Sequence, residues 1–266
     1  MSKDRKYWKL YAKRTLSGNW GLAIAGMIVS AAVNLIGNYM ASFLFPGVTV
    51  RAMLLSQAFL FIVSLIAMIF TAGYIYMLLN MSRGREYGLG DLFHMFRNQP
   101  DRVLVAGFVL SLIDNILMLP LTYWTVMTSP ASETMDAYFS WVQTAVILMV
   151  LGMAVAVVIK LPLSLTFYLL ADHPEMGGLE ALRASVRLMR GKKWKYFVLQ
   201  LSFVPMLVLS VFTLYIALLW LIPYMNAAVT AFYMDACGEF DHPAEDMEEP
   251  DRITDRSAGD DYNAEA

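Results

Sequence analysis

Residues 139–171 read FSWVQTAVILMVLGMAVAVVIKLPLSLTFYLLA, an apolar run broken by a single charge, Lys160. A helix rises about 1.5 Å per residue and the hydrocarbon core of a bilayer is about 30 Å thick, so roughly 20 such residues cross it. Three further runs have the length to do so: Trp20 to Phe45, Ala52 to Asn80 and Val103 to Thr128. A last apolar stretch, Tyr196 to Met234, is too long for one span and just long enough for two joined by a tight turn near Thr213 to Tyr215. The expected fold is all-α, a polytopic membrane helix bundle of about six transmembrane helices. Composition agrees, since 58% of residues are hydrophobic and 16% charged, well below the near-quarter charged content of a soluble domain.

These runs divide the chain into a basic amphipathic N-terminal segment (1–19), a six-span membrane domain (20–236) and an acidic, disordered C-terminal tail (237–266). The net charge of −2 conceals the asymmetry, because about half of the 22 acids lie after Met234. From Cys237 onward too little apolar surface remains to fold. Such a tail either stays solvated or folds back on basic loops. The N-terminal run resembles a secretory signal but is too long for one, and reads as a retained first span.

Lysine and arginine bias sets orientation, because loops rich in them stay cytoplasmic. Lys3 to Arg14 before the first span, Arg83, Arg85, Arg97 and Arg102 between the second and third, and Arg183 to Lys195 between the fourth and fifth all fall on one side. The other side offers Arg51, Glu133 and Asp136. Both termini are therefore expected in the cytoplasm. Trp124 and Trp141 flank the outer loop, and Trp20 and Trp194 the inner boundary, as amphipathic indoles do.

Leu179, Leu182, Val186 and Met189 recur at helical spacing beside Arg183, Arg187 and Arg190, which predicts a surface helix in the inner headgroup layer. With Lys192, Lys193 and Lys195 these arginines are the candidate contacts to anionic lipid headgroups, each attracted by about 1 kcal/mol. The alternative is ordinary positive loops with no lipid site. Basic segments followed by paired spans repeat three times, and the even spans end alike, in Tyr76 to Asn80, Tyr168 to Asp172 and Tyr233 to Asp235. Duplication and interface chemistry both account for that pattern.

Charges within spans are costly and face protein or water. Asp114 lies 11 residues past Val103 and Lys160 lies 11 before Ala171, so their depths match at about 16 Å. An Asp114–Lys160 ion pair between spans three and four is expected, either fixing helix packing or serving a transport site. Pro120, Pro162, Pro205 and Pro223 should kink spans three to six, and Asn34, Asn38, Gln143, Gln200 and Asn226 should bond between helices.

Catalytic patterns do not stand out: there is no phosphate-cradling glycine loop, paired metal-binding histidines or nucleophile elbow, and His94, His173 and His242 are scattered through hydrophilic segments. Cys237 is the single cysteine, so an internal disulfide is excluded and structural metal is unexpected. No enzymatic activity, cofactor or nucleic-acid partner is expected.

The run Lys160-Leu161-Pro162, then Phe167-Tyr168-Leu169-Leu170-Ala171-Asp172-His173-Pro174-Glu175, Leu179 to Leu182, Ser185 and Met189-Arg190-Gly191 resembles bacterial integral membrane proteins catalogued as domain of unknown function nine-seventy-five. Leu16-Ser17-Gly18-Asn19-Trp20 and Trp220 to Asn226 followed by Ala231-Phe232-Tyr233 carry the same resemblance, over roughly residues 10–236. The family's lysine tends to follow a Pro-Gly pair, whereas Lys160 follows Val157-Val158-Ile159 and precedes Pro162. The resemblance implies a bacterial plasma-membrane location and no established activity. Three function classes stay open: a structural or accessory component contacting lipid and partner proteins, a small-molecule transporter or channel at Asp114 and Lys160, and an enzyme.

Overall fold

A computed structural model describes residues 4–47, 49–128 and 134–240. Glu133, His242 and the acidic tail past Phe240 lie outside the described residues. The chain runs through α1 (Arg5–Leu16), α2 (Trp20–Leu44) and α3 (Val50–Ser82), then a 3-10 turn (Leu89–Phe93) and the short α4 (His94–Arg97). It continues through α5 (Pro100–Met127), α6 (Met135–Lys160), a second 3-10 turn (Leu161–Leu163), α7 (Thr166–Asp172) and α8 (Gly178–Leu188). The last elements are α9 (Lys193–Leu201), α10 (Val204–Phe212) and α11 (Leu218–Cys237).

Five helical segments are long and apolar enough to cross a membrane: Trp20–Leu44, Val50–Ser82, Pro100–Met127, Met135–Asp172 and Lys193–Phe212. The sixth expected passage, α11, is not among them. Pro223, Asn226 and Asp235 lower its apolarity, and it buries Ala227, Ala228, Ala231, Phe232 and Tyr233 inside the protein. The turn between α10 and α11 falls where length required it, with Leu214 and Tyr215 at φ 50° and 64°.

The core sits at one end of the bundle. Trp8, Leu16, Met77, Leu78, Leu92, Leu170, Phe232 and Tyr233 are buried there, while α6 buries no residue at all and the C-terminal half of α2 exposes Leu35, Ile36, Tyr39 and Phe43. Exposed aliphatic and aromatic side chains in that quantity have no favourable place in water and suit hydrocarbon. The N-terminal segment is part of the packed end: Trp8 meets Phe232 edge-on at 4.9 Å, and the Tyr11 hydroxyl donates to the Ser82 carbonyl at 2.6 Å. Lys9 donates to the Ser202 carbonyl at 3.1 Å and lies 4.2 Å from the Phe203 ring centre.

The prolines divide into two kinds. Pro120 and Pro223 stay inside continuous helices, whereas helix breaks fall at Pro162, between α6 and α7, and just before Pro205, between α9 and α10. At Pro162 one hydroxyl bridges the gap: Ser185 on α8 donates to the Pro162 carbonyl at 2.8 Å and accepts from the Leu165 N–H at 3.2 Å. Ser185 is fully buried, so Ser185→Ala strands two backbone groups and should cost about 1–3 kcal/mol. A lowered unfolding midpoint in detergent checks this; an unchanged one would mean the break is held by other contacts.

Two expectations need correction. The apolar stripe of α8 does not lie free as a membrane-surface face, because Leu182 and Met189 are buried against protein, Val186 is partly buried and Leu179 is half-exposed. Gly178 sits so close to α5 that an added Cβ would meet the Arg102 carbonyl oxygen and approach the Ala106 nitrogen at 3.0 Å. Of the five amides expected to join helices, three bond within their own: Asn38 to the Asn34 carbonyl, Asn226 to the Ile222 carbonyl and Gln200 to the Tyr196 hydroxyl.

Candidate functional site

The two charges expected within spans are brought together. Lys160, the last residue of α6, places its Nζ 2.9 and 3.1 Å from the two carboxylate oxygens of Asp114 on α5. Their side chains remain 46% and 43% exposed, so the pair is not sealed inside the bundle. It borders a largely apolar cavity of about 570 Å³, lined also by Met68, Phe167, Tyr196 and Gln200. The α6–α7 break positions Lys160 here, since the Leu161–Leu163 turn redirects the chain immediately after it. At the far end of the same two helices the Trp124 indole donates to the Trp141 carbonyl at 3.2 Å.

A second charged cluster, which sequence reading missed, holds the packed end together. Arg83, the residue after α3, bonds both oxygens of Asp172 at the end of α7, at 2.6 and 2.8 Å. Its other face bonds both oxygens of Glu239, at 3.1 and 2.6 Å. The Tyr233 hydroxyl on α11 adds a bond to Asp172 at 2.9 Å. Three helix ends thus meet on one guanidinium whose flat fork matches two carboxylates at once. The Tyr168 and Tyr233 rings lie beside it, tilted by 30° with centres 5.4 Å apart, so two of the similar span endings converge in space. The tyrosine–acid endings carry a signal for it, whereas Arg83 reads in sequence as a positive loop residue.

Glu239 shifts the boundary of the tail. Cys237 ends α11, Gly238 takes a left-handed turn at φ 83°, and Phe240 packs edge-on against Tyr7 and Tyr11 at 5.3 and 5.0 Å. Residues 237–240 therefore belong to the folded body and not to the tail.

The candidate headgroup contacts separate. Arg183, Arg187 and Arg190 are exposed on and just after α8, as is Lys193 at the start of α9. Lys192 instead donates to the Ala236 carbonyl at 2.6 Å, where a cation favours the carbonyl-rich end of α11. Lys195 is exposed and interacts within the protein. Among the described residues no cluster of histidine, cysteine or acid side chains has the makings of a metal site.

An all-α bundle with five membrane-length apolar helices and a polar, arginine-rich end defines the class: a membrane helix bundle. Residues 1–237 match the family described as "Protein of unknown function (DUF975)". The chain belongs to that family. Neither the curated proteins nor the solved structures contain a match to it.

Proposed function

We propose that the chain is a structural or accessory component of the bacterial plasma membrane, with both termini cytoplasmic and no enzymatic activity. Its arginine-rich end contacts anionic lipid headgroups and partner proteins. The observation that carries this reading is the placement of Arg183, Arg187, Arg190 and Lys193, exposed together at the packed end while apolar surface covers the opposite end. Basic side chains at headgroup depth attract anionic lipid by about 1 kcal/mol each. In nanodiscs containing phosphatidylglycerol, the protein should retain fewer of these lipids after Arg183→Gln, Arg187→Gln and Arg190→Gln are combined. Equal retention would contradict the reading.

A second reading has its own observation. The cavity of about 570 Å³ reaching Asp114 and Lys160 favours passage or binding of a small molecule within the bilayer. Lys160→Met distinguishes the two: full accumulation and folding with lost flux would support transport, and loss of the protein would assign the pair to helix packing.

A further inference from the structure

A second cavity, of about 520 Å³, opens at the packed end between the last turn of α3, the α4 segment and the start of α5. Arg83, Arg85, His94, Arg97, Asn98 and Arg102 contribute to its wall. Asp172 also lines it, but both oxygens of that carboxylate are engaged by Arg83 and Tyr233. Arg83 in turn is shared by two acids, Asp172 and Glu239, so that cluster carries one surplus negative charge and no free positive one. The positive charge outside ion pairs in this wall belongs to Arg85, Arg97 and Arg102, none of which forms an ion pair among the described residues.

Arg102 is the decisive residue. It is 6% exposed, and its Nη1 is held by two neutral acceptors, the carbonyls of His173 at 3.0 Å and Met176 at 3.2 Å. Its Nε is buried with no partner. Two carbonyls orient a guanidinium but do not neutralise it, and a buried charge without a counter-ion is costly. A fixed, buried arginine in a cavity wall, joined there by two exposed arginines, has the charge and the donors that an oxyanion needs. His94 stacks on Tyr76 with ring centres 3.9 Å apart. Burial pushes its imidazole below the ordinary value, opposed by Asp91 and reinforced by the nearby Arg102 charge.

We propose that this cavity binds a phosphate group, with Arg102 as its buried anchor and Arg85 and Arg97 closing over it. Planar guanidinium groups with two parallel donors fit phosphate oxygens better than point-charge ammonium groups do, and the wall has arginines and no lysine. The group is carried either by a phosphomonoester lipid headgroup or by a soluble phosphate. This rests on the preceding reading only in placing the cavity at headgroup depth; its residues are separate from Arg183, Arg187 and Arg190.

The test uses the full chain in phosphatidylcholine nanodiscs, with inorganic phosphate as one probe and a small fraction of phosphatidic acid as the other. Labelled phosphate is measured by equilibrium dialysis and retained lipid by native mass spectrometry. Arg85→Gln and Arg97→Gln alter exposed side chains, and circular dichroism confirms that the helices persist. One phosphate per chain, weakened roughly tenfold or more by each variant, supports the site with a soluble ligand. One phosphatidic acid per chain with the same loss, and no free-phosphate binding, supports it with a headgroup. Binding that survives both variants but falls with the Arg183, Arg187 and Arg190 substitutions overturns the site and leaves the basic-face reading standing. Absence of binding by both probes also overturns it.

Discussion

Arg83→Met is expected to destabilise the protein by about 3–5 kcal/mol, the loss typical of removing one partner from a buried charge cluster. The Arg83 side chain is 13% exposed and Asp172 18%, so water screens them little. The substitution leaves Asp172 and Glu239 facing each other across a vacated, partly buried space, with α3, α7 and the residues after α11 no longer joined. Adding Asp172→Asn to Arg83→Met removes one stranded charge and should restore part of the stability, a non-additive result diagnostic of direct coupling. Reversible unfolding in mixed micelles measures both. A loss under about 1 kcal/mol, as found for solvent-exposed ion pairs, would show that the cluster does not hold the helix ends.

Gly73→Ala should have the second large effect. An added Cβ would run into the Leu92 main chain, meeting its carbonyl oxygen and lying 2.7 Å from the carbonyl carbon and 2.9 Å from Cα. Backbone cannot rotate aside as a side chain can, so α3 and the Leu89–Arg97 segment must separate or strain. Overpacking of this kind costs about 1–3 kcal/mol, sometimes more. Because that segment carries His94 and Arg97, Gly73→Ala should also weaken phosphate binding without changing a lining residue. Gly21→Ala is the comparison, since nothing lies within 4 Å of the added carbon; it should leave stability and binding nearly unchanged. Equal behaviour of the two variants would refute the close approach of α3 to Leu92.

Particular residues show what was legible beforehand. The long apolar runs follow directly from the rule that backbone in hydrocarbon must satisfy its own hydrogen bonds, and depth arithmetic from two span ends located Asp114 and Lys160 opposite each other. The turn at Leu214 and Tyr215 contains no glycine or proline at its centre, and length alone located it. Arg83 was harder because its acids stand 89 and 156 residues away and a positive-loop role already accounted for its charge. Arg102 was hidden in the same way: burial and two carbonyl contacts distinguish it from Arg97, and neither property leaves a local mark in the sequence. The α8 periodicity identified an amphipathic helix, but periodicity does not say whether protein or lipid covers the apolar side.

Orientation is the claim on which the lipid reading depends, and the chain has one cysteine with which to measure it. Cys237 is free and exposed at the packed, arginine-rich end, while Thr128 closes α5 at the opposite end. A membrane-impermeant maleimide should label Cys237 only from the cytoplasmic side of sealed vesicles, and a Thr128→Cys variant in a Cys237→Ser background only from the outer side. Labelling of Cys237 from outside, or of both positions from one side, would contradict a bundle that spans the membrane with its basic end inward.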